Sequence, residues 1–574
     1  MSRILAALGL LFLTLPAVAD DVPDPLRRLP KDCGFVFKIE NPRQFVEGVT
    51  NLDAYQGLQQ FPQMKEYLDS TQVRRFFQVV KYLETELGGP WPTLLDKVAG
   101  RGIAVGLALT TEPQPALLVI EGTDAATVVK AHTLFLAAVR EENARAESKQ
   151  EVQQVEFEGI SVTRVGKDFY TAQRGTAVYL ANKEVAMKEG LKLAAGKTRE
   201  SVLDRASLAA ARKLAGPHPA AWGWLDFAKI KQSQQAKDFF ETTKKDIFQT
   251  VIFGSTADAA RRADFITLVV DQSPTGYAVS VRLPAKRADL DPNMAIHAPM
   301  HGEPGSRPLL KPAGVIYSQS FYLDLGFLWS ERKRLFNPEN LKDLEKGVEG
   351  LNKVLPNTTF GKLLEGSGPY HRIVAANTGE KLYSVEPSQA IPPVAYVGSM
   401  RGEQYGDSMD SLLRAGGALA GFQTGWKMSE ETHDGVTIVT FRFPEKGEPK
   451  FDDEEKLRFN AAPSFAIVGD NLIVGSTPGI VKRLIPELKK ESKSAGSPVV
   501  WRASGFANGA GQLIASSPEA TVTQAILTQG IGLAEAKEQT QKFAGWLKTL
   551  GHVDISIDHA AEMYEFKMAW TYGK

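Results

Sequence analysis

The last stretch of the chain alternates. Val553, Ile555 and Ile557 fall on one side of an extended backbone, and Asp554, Ser556 and Asp558 on the other. Tyr564, Phe566, Met568 and Trp570 continue the same period of two. This predicts a closing β-hairpin with one buried and one wet face, as in an antiparallel sheet carrying helices on one side. A similar hairpin is predicted at 265–270 and 277–283, turned through Ser273-Pro274-Thr275-Gly276. Helical spacing of Val128, Phe135, Leu136 and Val139 predicts a helix over 124–140. Further helices are expected at 185–193, 232–253, 341–355, 407–422 and 519–550. The charged stretch 141–154 reads as a solvated helix end or loop.

Laid side by side, the two halves follow one plan. Leu29-Pro30-Lys31 opens the apolar run 34–39, and Leu310-Lys311-Pro312 opens 314–319. Leu94-Leu95-Asp96 precedes the strand at 101–105, and Leu363-Leu364-Glu365 precedes that at 372–375. Proline-led strands follow at 115–120 and 393–397. Phe157-Glu158-Gly159-Ile160 then parallels His433-Asp434-Gly435-Val436. Strand pairs at 169–172 and 177–181 match those at 464–468 and 472–475, each with a helix after it. The tryptophan strands 221–225 and 499–503 match as well, and each half ends on its hairpin. A repeat of this length implies two copies of one supersecondary plan.

Between Leu283 and Ala313 lie Pro284, Pro292, Pro299, Pro304, Pro308 and Pro312. Proline fixes φ and removes a donor, so an extended crossing is expected there. The expected organisation is a signal segment at 1–19, a first α+β domain at 20–283, a proline-rich linker at 284–313 and a second α+β domain at 314–574. The fold class is α+β: two related domains, each an antiparallel sheet with helices packed on one face.

Arg3, the apolar run 4–15 and the small-x-small Ala17-Val18-Ala19 read as an export signal, followed by Asp20-Asp21. The alternative is an uncleaved anchor, although the run is shorter than a span needs. No later stretch is long and apolar enough to span a bilayer, so the location is periplasmic or secreted. With 574 residues, 67 basic and 67 acidic side chains and 43% apolar content, the chain is globular and carries no basic footprint for nucleic acid. Cys33 is the single cysteine, which excludes an internal disulfide framework and a cysteine-based zinc cage. It is either a reactive thiol or, as the apolar run beside it favours, a small buried residue.

No reaction is visible. His297 and His301 have i,i+4 spacing, but Pro299 lies between them and no third ligand is near. His132 sits beside the apolar stripe of its helix and reads as a satisfied boundary residue. His433-Asp434 could form a dyad, but its counterpart Glu158-Gly159 lacks the histidine, so a strand-entry turn accounts for both. Gly475-Ser476-Thr477-Pro478-Gly479 is not a nucleophile elbow. Ser476 or Thr477 caps the helix that follows, as Asn182 does in the first half. Asp452 to Glu455 lack the glycine and spacing of a calcium loop. Phosphate-loop and dinucleotide fingerprints are absent. Trp91, Trp222, Trp224, Trp426, Trp501 and Trp546 could line a groove, but most are expected in the core. The sequence therefore nominates no catalytic, cofactor-binding or metal residue and no cofactor.

The Leu29 to Asp32 start, the Arg101 to Val105 strand, the Phe157-Glu158-Gly159-Ile160 turn and the strand-helix unit from Val178 to Leu193 resemble an exported bacterial family catalogued as a domain of unknown function. The resemblance implies a duplicated α+β fold outside the cytoplasm and brings no catalytic residues. The expected role is a non-catalytic envelope protein that binds an unknown protein or small molecule, or has a structural part. The alternatives are a hydrolase of envelope polymers and a carrier of apolar molecules.

Overall fold

A computed structural model describes residues 24–572, except 110–111, 146–150, 300–303, 354, 356–357, 388, 447–455 and 492–497. The expected export signal, His301 and the 452–455 carboxylates lie outside the described residues. The fold is α+β and antiparallel at every strand pairing described.

The chain divides into two compact units. One holds residues up to Val49 with Glu66–Leu225; the other holds Thr50–Lys65 with Asp226–Lys574. The strands of the first are β1 (Phe35–Ile39), β2 (Ile103–Leu107), β3 (Ala116–Glu121), β4 (Val152–Phe157), β5 (Ile160–Val165), β6 (Phe169–Arg174), β7 (Ala177–Ala181) and β8 (Ala221–Asp226). They pair in the order β8–β1–β2–β3–β7–β6–β5–β4. Val36, Leu117, Val119, Tyr179, Trp222 and Trp224 are fully buried here. Against them packs the Glu184–Ala194 helix, which buries Met187 and Leu191.

The second unit begins its strands with β9 (Phe265–Ser273) and β10 (Gly276–Leu283), then β11 (Val315–Tyr322), β12 (Ser367–Ala376) and β13 (Val394–Met400). It continues through β14 (Lys427–His433), β15 (Val436–Arg442), β16 (Ser464–Val468), β17 (Asn471–Gly475), β18 (Val499–Phe506), β19 (His552–His559) and β20 (Tyr564–Thr571). Part of its ladder reads β18–β11–β12–β13–β17–β16–β15–β14, the same order as in the first unit. The core lies against the Pro478–Lys490 helix. Thr477 caps that helix by accepting from the Ile480 amide, and Pro478 starts it without losing a bond. Ile480, Val481, Leu484, Ile485 and Leu488 then recur at helical spacing and meet Val374, Val397, Ile438 and Ile473.

Details of the two ladders agree too. Glu158-Gly159 and Asp434-Gly435 are two-residue hairpin turns with positive φ at both positions (57° and 76°, 50° and 71°), the geometry that suits the strand twist. Asn182 does not cap its helix; Lys183 holds that position without a side-chain bond. Its amide instead clamps the strand start, accepting from Ala116 N at 2.7 Å and donating to Gln114 O at 2.9 Å. Ser476 does the same in the second ladder, accepting from Val394 N at 2.9 Å.

Three expectations change. The stretch 284–313 is not a bare extended crossing. It forms short 3-10 turns at Arg287–Asp289 and Pro292–Ile296 and buries Leu290, Ile296 and Ala298, because apolar residues alternate with its prolines. The compact units divide near Leu225 instead, because β10 pairs with β20 along eight residues and so ties the first hairpin to the second. Of the charged stretch 141–154, residues 141–145 end the Ala125–Arg145 helix as expected, but 152–154 begin β4.

The closing hairpins also depart from a buried apolar face and a wet polar one. On β9 and β10, Thr267 and Ser280 are fully buried. On the opposite face of β10, β19 and β20, Val279, Val553, Phe566 and Met568 are 42%, 38%, 39% and 45% exposed. One register row runs Ser280, Lys567, Ser556, Arg502, Ser320, Arg372 across six strands. Among the described residues no helix is long and apolar enough to cross a membrane.

Candidate functional site

Two helix starts and one helix face line a polar pocket of about 360 Å³ in the second unit. The Ile247–Arg262 helix begins at Asp246, whose carboxylate accepts from Gln249 N at 2.7 Å. One turn apart on this helix, Gly254 and Asp258 line the pocket, followed by Arg261. Gly254 is required by close approach: a Cβ there would stand 2.9 Å from Met294 Sδ and 3.3 Å from His297 Cε1. Asp291 caps the Pro292–Ile296 turn, and Asn337 caps the Pro338–Asn352 helix, accepting from Asn340 N at 2.8 Å. Both caps precede proline, and both side chains line the pocket with Asn293, Arg334, Leu335 and Phe336.

The polar groups are held in fixed roles. Asp258 is buried and accepts from Arg262 Nε at 3.0 Å, while Arg261 stands 3.8 Å away. Arg334 pairs with Glu331 at 2.9 Å through Nε. Thr250 donates its hydroxyl to Asp246 O at 2.8 Å, so it is no free nucleophile. Asn293 Oδ1 is buried with no donor among the described residues. Asp291 has no cation within 4 Å among the described residues. The arrangement can bind and orient a polar ligand; it contains no nucleophile–base pair.

A second pocket, of about 300 Å³, is apolar. Leu58, Phe61 and Met64 face Phe543 and Trp546, and Phe61 meets both aromatic rings edge-on. Trp546 Nε1 donates to Ala54 O at 3.2 Å, so its polar atom is satisfied. Each pocket joins the segment before a proline-started helix (Phe61-Pro62, Asn337-Pro338) to the helix that leads into a closing hairpin.

Of the residues singled out by sequence, Trp546 lines the apolar pocket and none lines the polar one. His297 packs behind Gly254; its Nε2 meets Val251 O at 2.5 Å, and burial pushes its pKa below the usual histidine value. His132 is half-buried against Thr171 Oγ1 at 2.9 Å, as a boundary residue should be. His433 and Asp434 stand 3.8 Å apart at an exposed turn. Among the described residues no group of three or more His, Cys, Asp or Glu side chains could hold a metal ion. Trp222 and Trp224 are core. Asp558 and Glu565 are direct register partners on β19 and β20. Glu565, however, is tied to Arg282 at 2.7 Å, and burial raises the Asp558 pKa, with Glu565 adding to the effect.

Cys33 is buried just ahead of β1, with its Sγ where a Cβ on Gly106 would be 2.7 Å away. A disulfide-exchange reagent is expected to leave the native chain unmodified and to titrate one thiol after denaturation, read by absorbance of the released thiolate. Rapid native labelling would instead mark Cys33 as accessible and reactive.

The polar pocket's residues were missed because none belongs to a recognised motif. The available signal was local: Asp291-Pro292 and Asn337-Pro338 each announce a capped helix start.

No family model matches the chain, and no curated protein matches it. Two crystal forms of TP0453 are similar to it, form III with 8% identity and a TM-score of 0.23, form I with 10% and 0.24. Each match covers 47% of this chain and 82% of that one. At such scores the fold argument rests on the ladders described above.

Proposed function

We propose that the chain is an exported, non-catalytic binding protein made of two copies of one α+β repeat, and that the polar pocket is its ligand seat. The observation that carries this reading is the role of the pocket's groups: Asp291 and Asn337 cap helices, Asp258 and Arg334 hold ion pairs, Thr250 donates to a backbone carbonyl, and none is paired as nucleophile and base. A concave site with a few convergent polar groups is the default place for a small ligand. The shared strand order and the matching Asn182 and Ser476 clamps support duplication. The resemblance to an exported family of unknown function and the export signal read at 1–19 support a location in the periplasm or outside the cell. The carrier reading has less support, because the largest buried side chains, Trp222 and Trp224 among them, fill the interior.

The test is recovery of bound material. The wild-type chain and Arg334→Ala are purified from the native envelope and analysed by native and denaturing mass spectrometry. The expected result is one small molecule released by wild type and reduced at least tenfold in the variant. Equal recovery from both, or cleavage of envelope polymer by the purified chain, would overturn the proposal.

A further inference from the structure

We infer that the ligand of this pocket is a small zwitterion, an amino acid or short peptide with free amino and carboxyl ends. The inference rests on the binding reading above and adds the ligand's chemistry. The lining carries both kinds of charge-binding group. Two of its members are guanidinium groups with capacity left. Asp258 is already satisfied by Arg262, so Arg261 is held only loosely at 3.8 Å. Arg334 uses Nε on Glu331 and is half exposed, which leaves its terminal nitrogens. Planar guanidinium forks suit a carboxylate.

Two others are acceptors without cations among the described residues. Asp291 spends one oxygen on Asn293 N at 2.9 Å and has no cation within reach among the described residues. Asn293 Oδ1 is buried and accepts nothing. A buried acceptor left empty is costly, and an incoming ammonium or amide N–H would satisfy it. Guanidinium donors and cation-free acceptors in one lining match a ligand that carries a negative and a positive end. The volume, about 360 Å³, lies at the small end of ligand sites. Leu335, Phe336 and Met294 leave room for a modest apolar side chain between the ends.

The experiment is isothermal titration of the full mature chain with four probes: the dipeptide Ala-Ala, its C-terminal amide, its N-acetyl form and inorganic phosphate. Ala-Ala is expected to bind, and each capped form at least tenfold more weakly. Arg334→Ala should lose the preference for the free carboxylate. Asp291→Asn should keep the cap oxygen and lose the preference for the free amine. Thermal melts of both variants within a few degrees of wild type would show that they fold. Equal binding of capped and free dipeptides, or binding of phosphate alone, overturns the inference. If Ala-Ala fails while wild type still releases a molecule that Arg334→Ala lacks, the zwitterion is wrong and the pocket stands. If neither occurs, both fall.

Discussion

Lowering the pH from 7 towards 4 is expected to destabilise the protein steeply, and His559→Leu is expected to flatten that loss. His559 is buried, with its ring edge-on to Tyr564 at 4.8 Å. Its Nε2 has no partner among the described residues. Burial, reinforced by the nearby His297, Arg287 and Arg262, lowers its pKa to about 3. The unfolded chain protonates the same group near 6.5. Between those values the unfolded state binds the extra proton, so stability is full above about pH 6.5 and falls as the solution becomes more acidic. The slope from one such group approaches about 1.4 kcal/mol per pH unit. His132, His297 and His371 are lowered in the same direction, also mainly by burial. Asp558 works against them at the acid end, because its raised pKa lets the folded state take up a proton first. Urea midpoints measured at steps from pH 7.5 to 4 give the test. Identical slopes for wild type and His559→Leu would show that His559 is not held neutral in the fold.

The sequence made the repeated plan legible because strand order is written in local signals. A type I′ turn needs residues that tolerate positive φ, and Glu158-Gly159 and Asp434-Gly435 display that need in both halves. The helix start at Thr477-Pro478 was visible for the same reason. What stayed hidden depends on pairing across long separations. Nothing local to Tyr277 or Val279 says that their strand will pair with Trp570 and Met568. That pairing moves the first hairpin into the second unit and makes the 284–313 stretch an internal packing segment. The polar pocket was hidden likewise: Asp258, Asn293 and Arg334 lie far apart in the chain, and each has an ordinary local role.

Replacing Arg372 by Leu is expected to cost about 3–5 kcal/mol, and replacing its partner at the same time to restore most of that loss. Arg372 projects from β12 and is only 2% exposed. It donates to Glu491 at 2.7 Å and to Asn471 Oδ1 at 3.0 Å. Glu491, 13% exposed, stands at the C-terminal cap of the Pro478–Lys490 helix, where the helix dipole disfavours a negative charge. Burial pushes the Arg372 pKa down, and the Glu491 charge and hydrogen bond oppose the shift. Removing the guanidinium therefore leaves a nearly buried carboxylate with neither cation nor solvent, at the wrong end of a helix. Removing both charges leaves only the packing to be matched. The first unit argues that packing suffices. There Ala104 holds the equivalent register position, opposite Lys38 and Val119 as Arg372 is opposite Ser320 and Val397, and it is fully buried without any ion pair. A double-mutant cycle with Arg372→Leu, Glu491→Leu and the double variant, read by urea unfolding, measures the coupling. Independent, additive losses would mean that the two side chains stabilise the sheet and the helix separately, and that the pair is not the link between β12 and the helix end.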